Sequence, residues 1–200
     1  MNKKAILYIL VILFIGKIQS QNFLEHFNIA VGVNLMNINS KGTTIFNEET
    51  TNDALNYNIL NKAMYADNEP NNNETGFYIG LIYDNISISE KIKIQPEMRF
   101  VAVKDFNQLQ IPITLKYEIS ESFNLQTGPN LGFLLDSPET IDSFNFAIDF
   151  GASYAILSNL LFEVRYNWGQ TNLLKNGDSD NYLKINNFQI GLVYKLESSN

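Results

Sequence analysis

Side chains able to do acid–base or nucleophilic work are few and scattered. The 200 residues hold one histidine, His26, and no cysteine, so a thiolate nucleophile, a thiolate metal site and a disulfide framework are all excluded. Ser143, Ser153 and Ser158 have no base within reach of the pattern, and His26 precedes the first regular segment. Glu97 and Glu118 could form a carboxylate pair on neighbouring segments, the arrangement that general acid–base work requires. Arg99, Lys116 and Arg165 occupy the same alternating positions, so charge neutralisation explains the pair more simply. The acidic residues between Asn37 and Glu74 lack the spacing of a calcium loop, and no glycine-rich phosphate loop occurs. A formal charge of -7 disfavours nucleic acid as a partner. The pattern therefore points away from catalysis, and no cofactor, metal or catalytic residue is assigned.

The segments that carry these charges alternate strictly. Ile92, Ile94, Met98 and Phe100 interleave with Lys93, Gln95, Glu97 and Arg99, and Leu109, Ile111, Ile113, Leu115 and Tyr117 with Gln110, Pro112, Thr114, Lys116 and Glu118. A two-residue period gives strands with one apolar and one polar face. Six further segments share it, starting near Phe27, Phe77, Phe123, Phe144, Phe162 and Phe188. The connections alternate in length: Asn37–Glu74, Val103–Asn107, Asp136–Asp142 and Gln170–Asn181 are long, those between them tight. Residues 1–20 read as a signal peptide, with Lys3 and Lys4, the apolar run Ala5–Gly16 and a tail ending at Ser20. Removing Lys3, Lys4 and Lys17 from a formal charge of -7 leaves a charge of -10 on residues 21–200.

Alternation fits either a soluble barrel with its apolar face inward or a membrane barrel with that face outward. Three features select the second. Glycines crowd the polar face (Gly32, Gly80, Gly128, Gly132, Gly151, Gly169, Gly191), as a narrow lumen requires. Aromatics gather at both ends of the apolar face, among them Tyr83, Tyr117, Tyr154 and Tyr194 towards the tight turns and Tyr166 and Trp168 towards the long loops, as in the girdles of membrane barrels. Charges on the polar face balance: Lys93, Arg99, Lys116, Arg165 and Lys195 against Glu97, Glu118, Asp149 and Glu163, which predicts an ion-pair network in the lumen. The expected fold is all-β, an eight-stranded antiparallel up-and-down transmembrane β-barrel over residues 21–200. A mean hydropathy of -0.11 is compatible, because a barrel wall averages its two faces.

Four motifs in order then resemble one family. Ile94-Gln95-Pro96-Glu97-Met98-Arg99-Phe100, Ile111-Pro112-Ile113-Thr114-Leu115-Lys116-Tyr117, Leu125-Gln126-Thr127-Gly128-Pro129-Asn130-Leu131-Gly132 and Arg165-Tyr166-Asn167-Trp168-Gly169 resemble consecutive strands of the PorT-like outer-membrane β-barrel family. Asn130 stands where an aromatic is usual, and the chain ends in Glu197–Asn200 rather than an aromatic. The resemblance implies an eight-stranded barrel in the outer membrane of a Gram-negative bacterium. It implies no single activity, although the founding member is associated with protein secretion. The expectation is a monomeric, non-enzymatic barrel in contact with outer-membrane lipid. Its termini would be periplasmic, and loop 37–74 would meet a protein or surface partner. Rival readings are a periplasmic lipocalin-like carrier of an apolar ligand and an outer-membrane lipid-modifying enzyme.

Overall fold

The computed structural model describes residues 27–41, 73–83 and 86–196; the signal segment, His26 and most of loop 37–74 fall outside them. The elements are β1 (Phe27–Lys41), β2 (Asn73–Tyr83), β3 (Ile86–Ser87), β4 (Ile92–Ala102), β5 (Gln108–Glu118), β6 (Phe123–Leu134), β7 (Phe144–Leu157), β8 (Leu160–Gly169) and β9 (Tyr182–Lys195). Each pairs antiparallel with its sequence neighbour. β1 pairs with β9 from Asn28 opposite Lys195 to Lys41 opposite Tyr182, which closes the sheet. β2 and the short β3 both pair with β4, at Phe77–Ala102 and Ile86–Ile94 respectively, so together they form one stave. The result is a closed barrel of eight staves, in which every strand edge finds a partner.

Sidedness follows the alternation. Ile113, Leu115, Phe150, Leu192 and their neighbours point outward, whereas Arg99, Asp149, Glu163 and Arg165 are buried inside. Pro96, Pro112 and Pro129 lie within strands, where the missing N–H normally excludes proline. The ladders accommodate them by skipping rungs: β4–β5 breaks between Pro96–Ile113 and Arg99–Gln110, and β5–β6 between Pro112–Asn130 and Leu115–Thr127.

One expectation needs correction. The residue pattern bounds the first loop at Asn37 and Glu74, but the β1–β2 ladder runs on to Asn37 opposite Asn73, and β1 continues to Lys41 against β9. The apolar phase inverts there. Val31, Val33 and Leu35 point outward, and then Met36 and Ile38 point inward. On β9 the same exchange places Leu183 and Ile185 inward beside outward Tyr182 and Lys184. Above the apolar belt the wall thus becomes a crown with an apolar interior, where Met36, Ile38, Val101, Val103, Phe106, Leu134, Ile141, Leu173, Leu183 and Ile185 belong to the same buried apolar cluster as Tyr78 and, towards the termini, Ala30, Ile82, Leu161 and Val193.

The crown's loops are tied together. Ile141 bridges Leu174, and Leu173 N–H donates to Leu183 O at 2.8 Å. Asn172 Oδ1 accepts from Leu174 N and Leu183 N, both at 3.0 Å, while its Nδ2 donates to Asn181 O at 3.1 Å. Asp105 and Asn176 take left-handed φ values of 64° and 60° at the loop turns, a conformation that Asp and Asn tolerate better than other side chains.

Candidate functional site

Alternation on β4, β7 and β8 directs five charged side chains to the barrel axis, where they converge. Arg99 donates from Nε to Glu97 Oε2 at 2.8 Å and from Nη2 to Glu163 Oε1 at 2.6 Å. Arg165 Nη2 donates to Glu97 Oε1 at 2.7 Å and to Glu163 Oε2 at 3.2 Å, and Nη1 to Asp149 Oδ2 at 3.1 Å. Two carboxylates and two guanidiniums thus form a ring across the lumen. Both arginines are at most 1% exposed, so they occupy the axis rather than line a channel.

Amides extend the ring. Arg99 Nη1 donates to Gln189 Oε1 (2.9 Å), Gln189 Nε2 to Asn34 Oδ1 (3.0 Å), Asn34 Nδ2 to Asn187 Oδ1 (3.0 Å), Asn187 Nδ2 to Asn167 Oδ1 (3.2 Å) and Asn167 Nδ2 to Asp149 Oδ1 (2.7 Å). All five bonds run from cation to anion, the sense in which such bonds polarise one another favourably. Gln126 Nε2 donates to Glu163 Oε2 at 2.8 Å, and Asn130 Nδ2 to Asp149 at 3.1 Å. The sequence reading missed these amides. Their signal was present, since Asn34, Gln126, Asn130, Asn167, Asn187 and Gln189 all sit in the inward phase.

Tyr78 packs on this ring, with Arg99 Cζ lying 4.9 Å from its ring centroid. Its ring lies over the facing pair Gly32 and Gly191: a Cβ on Gly32 would come within 2.7 Å of Tyr78 Cε1, and one on Gly191 within 2.3 Å of its Oη. Glycine is needed at both positions for lack of space. Towards the termini, Ala30, Ile82, Leu161 and Val193 are buried.

The remaining charged residues of the lumen lie towards the terminal end. Lys93 Nζ pairs with Glu118 Oε1 at 2.8 Å, both about a third exposed at the terminal end. Lys116 and Lys195 line a small cleft with Gln126 and Glu163, about 10 Å³ in volume, which is room for roughly one water. Glu97 and Glu118 are therefore partners of different cations rather than a carboxylate pair. Ser153 is buried and accepts from Asn124 Nδ2 at 3.5 Å, Ser143 precedes β7 and Ser158 lies on an exposed turn. Among the described residues, no group of three or more His, Cys, Asp or Glu side chains is arranged to hold a metal. Tyr117, Tyr154, Tyr166, Trp168 and Tyr194 point outward, and Tyr83 meets Phe27 with ring centroids 5.3 Å apart. A lipocalin-like carrier would need the reverse sidedness, with an apolar interior where these ions stand.

An apolar outer belt, a polar and filled lumen and full closure of the sheet are the attributes of a transmembrane β-barrel. The chain belongs to the outer membrane protein beta-barrel domain family, whose model matches residues 19–175. It is a bacterial outer-membrane β-barrel protein whose strands cross the membrane. Among solved structures it is similar to a de novo designed transmembrane β-barrel, at 13% identity over 86% of this chain and 96% of that one, with a TM-score of 0.46. Ail, the attachment invasion locus protein of Yersinia pestis, matches at 12% identity over 84% and 96%, with a TM-score of 0.45. Neisserial surface protein A matches at 15% identity over 86% and 97%, with a TM-score of 0.43. No curated protein matches the chain.

Proposed function

We propose that the protein is a monomeric, non-catalytic outer-membrane barrel that acts through its loop end, with its termini in the periplasm. The observation that carries this reading is the filled axis: Arg99 and Arg165, bonded to Glu97, Asp149 and Glu163, leave an eight-stranded barrel no conduit. With transport through the barrel unavailable, the surfaces left for work are the ends. The loop end offers a tied crown and the segment 37–74, whose acidic residues make it a contact region for a protein or surface partner. Absence of catalysis is supported by the described Glu97, Glu118, Ser143, Ser153 and Ser158 occupying separate places in the barrel. The four strand motifs support a PorT-like affiliation, and with it a link to secretion or surface contact.

Two measurements test the reading. Reconstituted protein should show no steady conductance in planar bilayers, whereas an epitope inserted near residue 55 should be labelled on intact cells and a C-terminal epitope should not. Stable channels, or the opposite labelling, would sink it. Deleting residues 44–70 should abolish capture of any detergent-stable partner while leaving the barrel folded.

A further inference from the structure

On the outer wall, one rung beyond the loop-end aromatics, a cleft of about 550 Å³ opens between the ends of β1 and β8, the start of β9 and the β8–β9 loop. That size lies within the roughly 300–1,000 Å³ of small-ligand sites. Its floor is the outward row of β9, namely Tyr182, Lys184 and Asn186, with Asn39 of β1 opposite Lys184. Trp168 and Gln170 stand at its side.

The lining favours one chemistry. Two aromatic rings offer flat electron-rich faces to polarised C–H groups. Of the four primary amides in the lining, Asn172 is bonded within its own loop, and the other three, Asn39, Gln170 and Asn186, offer donors and acceptors together. Each amide is anchored at one end: Asn186 Oδ1 accepts from Gly169 N (3.0 Å), Gln170 Nε2 donates to Trp168 O (3.2 Å) and Asn39 Oδ1 accepts from Tyr182 Oη (3.4 Å). The other ends, Asn186 Nδ2, Gln170 Oε1 and Asn39 Nδ2, have no hydrogen-bond partner among the described residues. An alkyl chain would leave those amides unpaired. A polyphosphate would demand more cation than Lys184, which Asp178 partly offsets across the cleft. A polyhydroxylated ring satisfies both parts, with its C–H face on an aromatic and its hydroxyls on the amides.

We propose that this cleft binds a sugar ring, with Lys184 placed to meet an acidic substituent. The inference deepens the preceding reading by naming a ligand class for the loop end. The position just above Trp168 puts the cleft at headgroup level, so the sugar can belong to a membrane glycolipid or to a free oligosaccharide.

Trp168 is the chain's single tryptophan, so its emission reports on the cleft directly. Refolded full-length protein would be titrated with delipidated core oligosaccharide in detergent, and separately placed in phosphatidylglycerol nanodiscs with and without lipopolysaccharide. We expect a blue shift and protection from acrylamide quenching in at least one arm, weakened about tenfold or more in Tyr182→Leu and Gln170→Ala. The heat-modifiable gel mobility of each variant verifies its folding. A response to free oligosaccharide identifies a soluble or surface glycan. A response confined to lipopolysaccharide nanodiscs and lost in the variants identifies the glycolipid. No response in either arm, or equal responses in variants and wild type, overturns the proposal. Neither overturning result touches the conductance and labelling experiments, which do not depend on Trp168.

Discussion

The belt and the crown are built from the same strands and obey opposite rules. In the belt, Val31, Val33 and Leu35 of β1 face outward and Asn34 faces the ion ring. Two residues on, Asn37 and Asn39 face outward and Met36 and Ile38 inward. The backbone ladder continues without interruption across the exchange. What changes is the medium outside the wall. Where hydrocarbon surrounds the barrel, apolar side chains gain nothing by turning inward, and the lumen can hold charges provided that each is bonded. Where water surrounds it, burial of apolar surface again favours the inside, at about 25 cal/mol per Å². Fold geometry therefore leaves polarity free, and the solvent at each height sets it.

The largest loss of stability is expected from the belt. Arg165→Ala removes the one cation that Glu97, Asp149 and Glu163 all share, leaving Arg99 to Glu97 and Glu163 alone, and should cost roughly 3–5 kcal/mol of unfolding free energy, read as a lower urea midpoint of reconstituted protein. An unchanged midpoint would show that the ring does not stabilise the barrel. Leu183→Ala, in the crown core, should cost about 2–5 kcal/mol of local stability. Hydrogen exchange should rise at Leu173 and Ile185 while β4–β6 keep their protection, and a uniform rise would mean that belt and crown unfold as one unit. Ile113→Arg, facing lipid, should cost about 2–4 kcal/mol near the bilayer midplane, read as reduced assembly into vesicles. Lys41→Ala removes an exposed pair with Asp180 at 2.9 Å and should change the unfolding free energy by less than about 1 kcal/mol, a barely shifted urea midpoint.

The smallest effect belongs to Asp178. Its carboxylate accepts from the backbone N–H groups of Asp180 and Asn181, which holds it below the usual carboxylate value. Because the folded value is depressed, its contribution is present at neutral pH and is lost as pH falls through that folded value. A carboxyl titration by NMR that returned an ordinary value would mean that the turn is not formed in solution.

The belt was legible because its alternation is regular: Leu115, Ile148 and Val164 fall in one phase, Arg99 and Glu163 in the other, and the barrel wall keeps them on opposite faces. Charge balance on the inward phase gives the sign and number of the lumen charges but not which of them meet: Lys93 and Glu118 pair with each other at the terminal end, which depends on height along tilted strands. The crown was hidden for a different reason. Its core takes single apolar residues from loops and strand ends, such as Phe106, Ile141 and Leu173, which carry no period. The readable trace was the change of phase at Met36–Ile38 and Leu183–Ile185, apolar residues in what had been the polar register. The cleft beside Trp168 depends on where the β8–β9 loop folds back against the wall, which residue spacing does not encode.

The amide relay has a consequence for how the molecule is made. Gln189, Asn187 and Asn34 lie on the last and first strands, and Arg99 reaches Glu163 across the barrel rather than along the sheet. An unzipped sheet would keep only the pairs within a strand or between neighbouring strands, Arg99 with Glu97 and Arg165 with Glu163 and Asp149; the bonds of Arg99 to Glu163, of Arg165 to Glu97 and of Asn34 to Asn187 and Gln189 need the chain's two ends to meet. Completion of the cylinder and full bonding of its interior therefore coincide, and a barrel left ajar would lack its cross-lumen bonds.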